Sequence, residues 1–323
     1  MSKTLVTGGL GYIGSHLVRQ LLKRGEEVVI FDITNSSKLI DDIRDNVEIV
    51  WGDIRDGVQL FEVMRDRDIS ILYHLCALEP AASEDSPSMT YATNSSGTFN
   101  VLEISRILEI KSVTFTSTMG TFGPNLPQKV NEEVTQNPTT IYGTTKVCCE
   151  RLGEYYHKKY ALNFRGVRFP SILGAGRGRP PDYMAGGYTS FNNAIIQESA
   201  LGRTAKIWVN ESTATHMLYV KDAIESLIEL TNTSDVALKR RIYHVGAFRA
   251  SVAEQICVVR KLLPMSQFMF EPDEQLMSFV HALPKAWDCS NALRDWGYKP
   301  KYNLESATKD YIKEVQANIQ MYQ

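Results

Sequence analysis

The sequence predicts an α/β fold, with a doubly wound parallel sheet and a smaller, mostly helical C-terminal lobe. The first half of the 323 residues alternates short apolar runs with helical patterns, as βαβ units do. A glycine-rich turn joins the first apolar run to the first helical pattern. The second half carries a glycine- and proline-rich stretch and further prolines, so a separate lobe is expected there.

Each predicted strand of the first half is a short apolar run, and each predicted helix carries apolar residues at helical spacing. Strands are predicted at residues 4–7, 27–31, 47–51, 69–75, 113–118 and 164–169. Helices are predicted near residues 11–24, 58–65, 94–109 and 141–159. In the first helix Ile13, Leu17 and Leu21 form one stripe, and Gly25 is a stop signal.

The pattern changes after Phe169. Residues 174–181, prolonged by Gly186 and Gly187, form a long loop by composition. A helix near 189–201 and a strand near 206–209 follow, and the segments 219–230 and 241–245 are expected to return to the main sheet. These changes predict a sheet domain over residues 1–169 plus about 218–247, and a smaller lobe over 170–217 plus 248–323.

Composition excludes several classes of function. A formal charge of −2 gives no basic field for nucleic acid. The five cysteines show no C-x-x-C spacing, so neither a disulfide framework nor a metal site is expected. No stretch approaches the roughly 20 apolar residues that span a bilayer, and residues 4–7 read as a strand rather than a signal peptide. A cytoplasmic protein without a membrane or nucleic-acid partner is expected.

The glycine-rich turn predicts a dinucleotide site. Gly8, Gly11 and Gly14 follow the first strand and open the first helix, where glycine permits a tight turn and close approach of backbone to a pyrophosphate. The helix N-terminus then offers N–H groups and partial positive charge to the phosphates. Asp32 ends the next strand, where a carboxylate accepts hydrogen bonds from the adenosine ribose. Because no cation follows Asp32 to meet a 2′-phosphate, NAD is favoured over NADP.

A second constellation predicts acid–base chemistry. The strand at 113–118 ends in Thr116, Ser117 and Thr118, three hydroxyl residues at the carboxyl edge of the sheet. Tyr142 and Lys146 are four residues apart, on one face of a helix. A phenol with an ordinary pKa near 10 is a poor base at neutral pH, and a nearby ammonium favours its phenolate. A threonine hydroxyl can hold a substrate oxygen while the tyrosine takes its proton.

These motifs together resemble the extended short-chain dehydrogenase/reductase family, whose fold is a Rossmann sheet with a substrate-binding lobe. The resemblance covers nearly the whole chain, through 73–77, 94–98, 122–123 and 288–300 besides the motifs above. It implies Thr118, Tyr142 and Lys146 as the catalytic set. It also implies a homodimer, because helices 94–109 and 141–159 commonly pair across a dimer axis in this family. Cofactor contacts are expected at Gly8, Gly11, Tyr12, Ile13, Gly14, Asp32, Asp53, Ile54, Leu75, Ala77, Asn94, Thr116, Tyr142, Lys146 and Phe169.

Within the family, the chain is similar to the L-threonine 3-dehydrogenases. That likeness rests on 73–77, 122–124, 154–156, 168–170 and 217–219, and it implies oxidation of a secondary alcohol of a small hydroxy acid or amino acid. The Thr-Thr-Asp-Tyr substrate loop of those enzymes appears here, at best, as residues 188–191, and Glu79 could replace its carboxylate by binding a substrate ammonium or relaying a proton. Substrate contacts are expected at Glu79, Thr118, Met119, Tyr188, Thr189 and His216.

Two other functions stay open at this stage. A nucleotide-sugar 4-epimerase or dehydratase with retained NAD suits 94–98 and 174–177, whereas Pro170 and Thr215 stand where many such enzymes carry a diphosphate-contacting Asn and an Arg. Arg177 and Arg179 could clamp an anionic substrate in either case. A catalytically silent dinucleotide sensor is disfavoured, since a sensor has no use for Thr118, Tyr142 and Lys146 together.

Overall fold

The main sheet holds seven parallel strands and confirms the doubly wound fold. A computed structural model describes residues 3–176 and 187–322. The strands of the main sheet are β1 (Lys3–Thr7), β2 (Val28–Asp32), β3 (Glu48–Trp51), β4 (Ile69–His74), β5 (Ser112–Thr118), β6 (Phe164–Phe169) and β10 (Ile242–His244). Their spatial order is β10-β6-β5-β4-β1-β2-β3. The order reverses between β1 and β4, and in open α/β sheets ligands bind at the carboxyl ends of strands beside such a reversal.

Helices pack on both faces of this sheet, and several more lie in the second half of the chain. They are α1 (Tyr12–Lys23), α2 (Gly57–Asp66), α3 (Pro80–Asp85), α4 (Pro87–Thr90), α5 (Gly97–Ile107), α6 (Ile141–Tyr160), α7 (Phe191–Ala200), α8 (Val220–Asn232), α9 (Val252–Leu262), α10 (Glu274–Ala282), α11 (Ser290–Trp296) and α12 (Leu304–Ala317). The predicted helix at 94–109 instead begins as a π-helical turn over Tyr91–Ser96 that runs into α5. The other three helices of the first half lie where the apolar spacing predicts them.

Two small sheets accompany the main one. A three-stranded sheet contains β7 (Ser171–Leu173), β9 (Ala214–Tyr219) and β11 (Phe248–Ser251), and a two-stranded sheet pairs β8 (Ala205–Ile207) with β12 (Phe268–Phe270). The segment 241–245 returns to the main sheet as strand β10. The segment 219–230 returns as helix α8, which packs on β5 and β6, because its apolar residues recur at helical spacing.

Buried apolar residues lie on each side of the main sheet. One cluster joins β1, β2 and α1 to α8 and the C-terminal helices, and includes Leu17, Leu21, Leu227 and Tyr311. A second cluster lies beneath α2, α5 and α6. A third and smaller cluster contains Met119, Phe122, Val130 and Trp287, beside the carboxyl end of β5. This small cluster supports the cavity described next.

Candidate active site

The glycine turn brings backbone close to backbone between β1 and α1. Gly8 has φ +73°, and a Cβ on Gly14 would lie 2.1 Å from the Gly8 carbonyl oxygen, so neither position suits a side chain. Gly11 is the N-cap of α1 and makes no side-chain bond to the first N–H groups of the helix. A cradle of this shape, at a helix N-terminus, fits the pyrophosphate of a dinucleotide.

Asp32 is fixed beside this turn. Its side chain is buried at the end of β2, where one oxygen accepts from the Leu10 N–H at 2.9 Å and the other from the Thr34 N–H at 2.9 Å. These bonds hold the carboxylate against the residues that the sequence assigns to the dinucleotide. Asp53 pairs instead with Arg55 at the surface, and Ile54 is buried in the second core cluster.

A cavity of about 230 Å³ lies at the carboxyl ends of β4, β5 and β6. It contains most of the residues predicted to contact substrate or the reacting end of the cofactor. Those residues are Tyr12, Ile13, Leu75, Ala77, Glu79, Thr116, Thr118, Met119, Tyr142, Lys146, Phe169, Tyr188 and Thr189. The sheet edge, the glycine turn and the predicted acid–base residues therefore meet at one place.

Tyr142 and Lys146 are positioned by the first turns of α6. Thr140 caps this helix by accepting from the Gly143 N–H at 3.0 Å. A Cβ on Gly143 would lie 2.3 Å from the Gly120 carbonyl oxygen, so glycine lets α6 lie directly against the turn that follows Thr118. Lys146 Nζ lies 5.8 Å from the centroid of the Tyr142 ring and donates to the Thr116 carbonyl oxygen at 2.8 Å.

The electrostatics of this pair follow from its burial. Desolvation lowers the pKa of Lys146, while Cys149, Cys76 and Glu150 oppose that shift. A cation next to a phenol favours the phenolate form. The arrangement can therefore take a proton from a hydroxyl group placed in the cavity.

Thr118 ends β5 with its side chain at the cavity. Its Oγ1 accepts from the Gly120 N–H at 3.1 Å, which leaves the hydroxyl group able to donate. The short turn that begins at Met119 is thereby fixed, and Met119 itself lines the cavity. Thr118 and Tyr142 thus come from a strand end and a helix start that touch each other.

A buried ion pair behind Thr118 was not predicted from the sequence. Glu150 and Arg168 are almost completely buried and form two hydrogen bonds, at 2.9 and 2.6 Å. Ser117 also donates to Glu150, and Arg168 donates to His244 Nε2 at 3.1 Å, since a guanidinium can only donate. Glu150 lies one helical turn after Lys146, so the sequence could have indicated that Glu150 faces the same side of the helix as Lys146. Its partner Arg168 carries no such signal.

Asn94 and His74 lie outside the cavity lining and stabilise the segments next to it. Asn94 is buried, accepts from the Leu78 N–H at 2.8 Å and donates to Thr145 at 3.2 Å, so it fixes the loop after β4. His74 is buried between Thr7, at 2.7 Å, and Thr98, at 2.9 Å. His74 is therefore a hydrogen-bonded core residue.

Other predicted residues lie elsewhere. The structure does not bring His216 to the cavity: it lies in a separate hollow, where its Nε2 is 3.1 Å from the Lys285 carbonyl oxygen. Arg177 and Arg179 fall outside the described residues. The cavity also contains Phe122, from the stretch 122–124, and three apolar residues that no motif indicated, namely Phe279, Ala282 and Leu283.

The described residues form neither a cluster suited to a metal ion nor a helix suited to crossing a membrane. Within residues 3–176 and 187–322, no group of three or more His, Cys, Asp or Glu side chains is arranged to hold a metal ion. Over the same residues, no helix has the length and apolar character to cross a bilayer.

Comparison with known proteins identifies a family. A model of the NAD-dependent epimerase/dehydratase family matches residues 4–246. The mitochondrial L-threonine 3-dehydrogenase of Sus scrofa is 32% identical over 304 residues, which are 94% of this chain and 79% of that protein. The crystal structure of L-threonine dehydrogenase from Clostridium difficile is 29% identical, with a TM-score of 0.91 over 99% of both chains. UDP-glucose 4-epimerase of Thermotoga maritima, at 22% identity and a TM-score of 0.84 over 98% of this chain and 99% of its own, shares the fold.

Proposed function

The chain belongs to the NAD-dependent epimerase/dehydratase family, and from that membership we propose that it oxidises the secondary alcohol of a small hydroxy acid or amino acid. The observation that carries the proposal is the meeting of Thr118, Tyr142 and Lys146 in one cavity beside the glycine turn. The likeness to L-threonine 3-dehydrogenases supports net oxidation of such an alcohol.

NAD, when bound, supplies the hydride acceptor. The proposed contacts are the glycine turn for its phosphates, Asp32 for the adenosine ribose, and Leu75, Ala77, Thr116 and Phe169 nearer the reacting end. Gly14 lies so close to the Gly8 backbone that a Cβ would collide with it, and this tight glycine turn supports the phosphate assignment. Asp53, Ile54 and Asn94 act in this proposal by shaping the surroundings of the cofactor.

The chain's own residues perform the proton chemistry. Thr118 donates a hydrogen bond to the oxygen of the substrate hydroxyl, and the phenolate of Tyr142 takes the hydroxyl proton. Lys146 keeps that phenolate accessible near neutral pH through its positive charge. Because Lys146 Nζ is held by the Thr116 carbonyl, its ammonium is already in place when substrate arrives, so it need not reorganise.

Glu79 lies at the exposed mouth of the cavity as the N-cap of α3. We propose that it accepts the ammonium of an amino-acid substrate. Met119, Tyr188 and Thr189 complete the proposed substrate contacts. The active species is proposed to be a homodimer, paired through the outer faces of α5 and α6, where Phe99 and Tyr155 are exposed.

Replacing Tyr142 tests the assignment. Tyr142→Phe removes the proton acceptor and should lower kcat for NADH formation by about 10²- to 10⁴-fold, the usual contribution of a general base. Tyr91→Phe, at an exposed tyrosine outside the cavity lining, is the matched control and should retain activity. A Tyr142→Phe enzyme with undiminished turnover would refute the proposed mechanism.

The same assay separates oxidation from epimerisation. A dehydrogenase releases NADH in proportion to substrate consumed, whereas an epimerase returns the hydride within each cycle and holds its NAD through purification. Incubation with a hydroxy amino acid should therefore accumulate NADH. Conversion of a nucleotide sugar without accumulation of NADH would favour the epimerase.

A further inference from the structure

One wall of the catalytic cavity is apolar and comes from the C-terminal half of the chain. Phe279 and Ala282 lie in α10, Leu283 follows that helix, and all three line the cavity. Tyr188 stacks on Phe279 with ring centroids 4.4 Å apart and planes 10° from parallel. Both rings are only half-buried, so apolar surface remains facing the space above the catalytic residues.

Met119 and Phe122 add further apolar surface to this cavity, and both are firmly supported. Met119 and Phe122 are buried there. The Phe122 ring lies edge-on to Trp287 at 5.7 Å and has the Arg168 guanidinium 5.3 Å from its centroid. Because Arg168 is itself held by Glu150, Phe122 cannot easily move to close the space. Leu283 packs against the same cluster as Met119 and Phe122, so these apolar residues form one continuous part of the cavity lining.

Few charges face this pocket. Among the described residues that line the cavity, Glu79 and Lys146 are the acidic and basic side chains, and Lys146 is bound to the Thr116 carbonyl. Burial raises the pKa of Tyr188 to about 12, with smaller contributions from Glu84 and Asp85, so its phenol stays neutral. An apolar group placed in this pocket would contact carbon and be removed from water, which is favourable.

Resting on the proposed function, we propose that the preferred substrate carries an apolar substituent of aromatic size on the carbon that bears the reacting hydroxyl. With that hydroxyl between Thr118 and Tyr142, the substituent lies against Phe279 and Leu283. The reaction balances as an ordinary alcohol oxidation: the carbon–hydrogen bond gives its hydride to NAD, the hydroxyl proton passes to Tyr142 and then to water, and a ketone remains. The methyl group of threonine is too small to cover the apolar surface that Phe279 and Leu283 present.

Two substrates that differ only at this substituent provide the direct test. L-Threonine and L-threo-3-phenylserine share the carboxylate, the ammonium and the secondary alcohol, and differ by methyl against phenyl. One methylene in a hydrophobic pocket changes kcat/KM by roughly 10- to 200-fold. We therefore expect kcat/KM for phenylserine to exceed that for threonine by at least about tenfold. Equal values, or a preference for threonine, would overturn the inference while leaving the proposed dehydrogenase intact.

Two variants locate the effect at the apolar wall. Phe279→Ala should reduce the phenylserine-to-threonine ratio of kcat/KM by about tenfold, because phenylserine loses more contact with this wall than threonine does. Ala282→Leu fills the pocket from the same wall and should also lower the ratio, through loss of phenylserine turnover. Ser278→Ala, at an exposed neighbouring position of α10, is the control and should keep the wild-type ratio. An unchanged ratio in both wall variants would place the preference elsewhere and refute the assignment.

A binding measurement keeps this inference distinct from the proposed mechanism. Calorimetry on NADH-loaded Tyr142→Phe protein, which lacks the proton acceptor, should give a lower Kd for phenylserine than for threonine. If neither amino acid reduces NAD with the wild-type enzyme, the proposed function fails. The inference about the apolar pocket is then tested by the two Kd values alone. Equal Kd values would then overturn it.

Discussion

At the scale of single residues, Glu79 is the proposed contact for the ammonium of an amino-acid substrate. It is the acidic side chain at the mouth of the cavity, whereas the neighbouring Asp85 on α3 lies outside the lining. Glu79→Gln removes the charge and keeps the shape, so KM for a hydroxy amino acid should rise about three- to tenfold, a modest effect because water reaches this position. Kinetics with 3-hydroxybutyrate, which lacks the ammonium, should not change.

Asp85→Asn is the matched control for that substitution, and it should leave both substrates unaffected. If Glu79→Gln alters neither kcat nor KM for any amino-acid substrate, Glu79 is an ordinary surface glutamate and the ammonium contact is wrong.

The sequence predicted the residues whose chemistry depends on local spacing. Tyr142 and Lys146 face the same side of α6 because they are one turn apart, and Asp32 ends β2 beside the glycine turn. It did not reveal the Glu150–Arg168 pair, because an arginine inside β6 looks like a strand residue until the partner on α6 is known. Phe279 was missed for a similar reason, since only tertiary packing brings α10 to the sheet edge.

At the scale of secondary-structure elements, His74 joins β4 to β1 and α5. Thr98 donates to the Asn94 carbonyl at 2.5 Å, so its oxygen accepts from His74 Nε2, and His74 Nδ1 accepts from Thr7. The ring is therefore neutral by this hydrogen-bond network. Burial, assisted by the positive charge of Lys146, lowers the pKa of His74 to about 3.

This shift predicts how stability depends on pH. Below about pH 6.5 the unfolded chain binds a proton at His74, whereas the folded chain does not until about pH 3. His74 thus contributes a loss of about 1.4 kcal/mol in the free energy of unfolding for each pH unit between about 5.5 and 4. Urea denaturation of His74→Gln should show a pH dependence shallower by that amount.

The surface histidine His281 supplies the comparison, because His281→Gln should leave the pH dependence of unfolding close to that of the wild type. Parallel curves for His74→Gln and the wild type would show that the folded protein accepts a proton at His74, contrary to the burial described above.

Elements were predictable where they repeat a simple pattern. Apolar runs separated by amphipathic segments predicted β1 to β6 within one or two residues. Strands β7, β9 and β11 were not predicted, because they are stabilised by pairing with each other more than by their own composition. The π-helical turn before α5 was missed too, because 94–109 carries an ordinary helical pattern.

At the scale of the whole molecule, the proposed dimer face can be tested directly. Phe99 and Ile107 of α5 and Tyr155 and Tyr160 of α6 leave 43–53% of their surface exposed, close together on adjacent helices. A charge at the centre of such a face would have to be desolvated on pairing. Phe99→Glu should therefore shift the protein to monomer in sedimentation velocity experiments.

Val236→Glu places the same charge on an apolar residue that is 86% exposed outside this face, and it should leave the oligomeric state unchanged. A wild-type protein that sediments as a monomer at micromolar concentration would refute the dimer, with no consequence for the chemistry of the cavity.

The residues that line the cavity are also synthesised at different times. During synthesis, the glycine turn, Thr118 and Tyr142 all leave the ribosome long before α10. The buried cluster around α1 also includes Leu227 of α8 and Tyr311 of α12, so the nucleotide side of the sheet is completed only when the last helix has been made. Affinity for dinucleotide and discrimination among alcohols are therefore expected to appear together, at the end of synthesis.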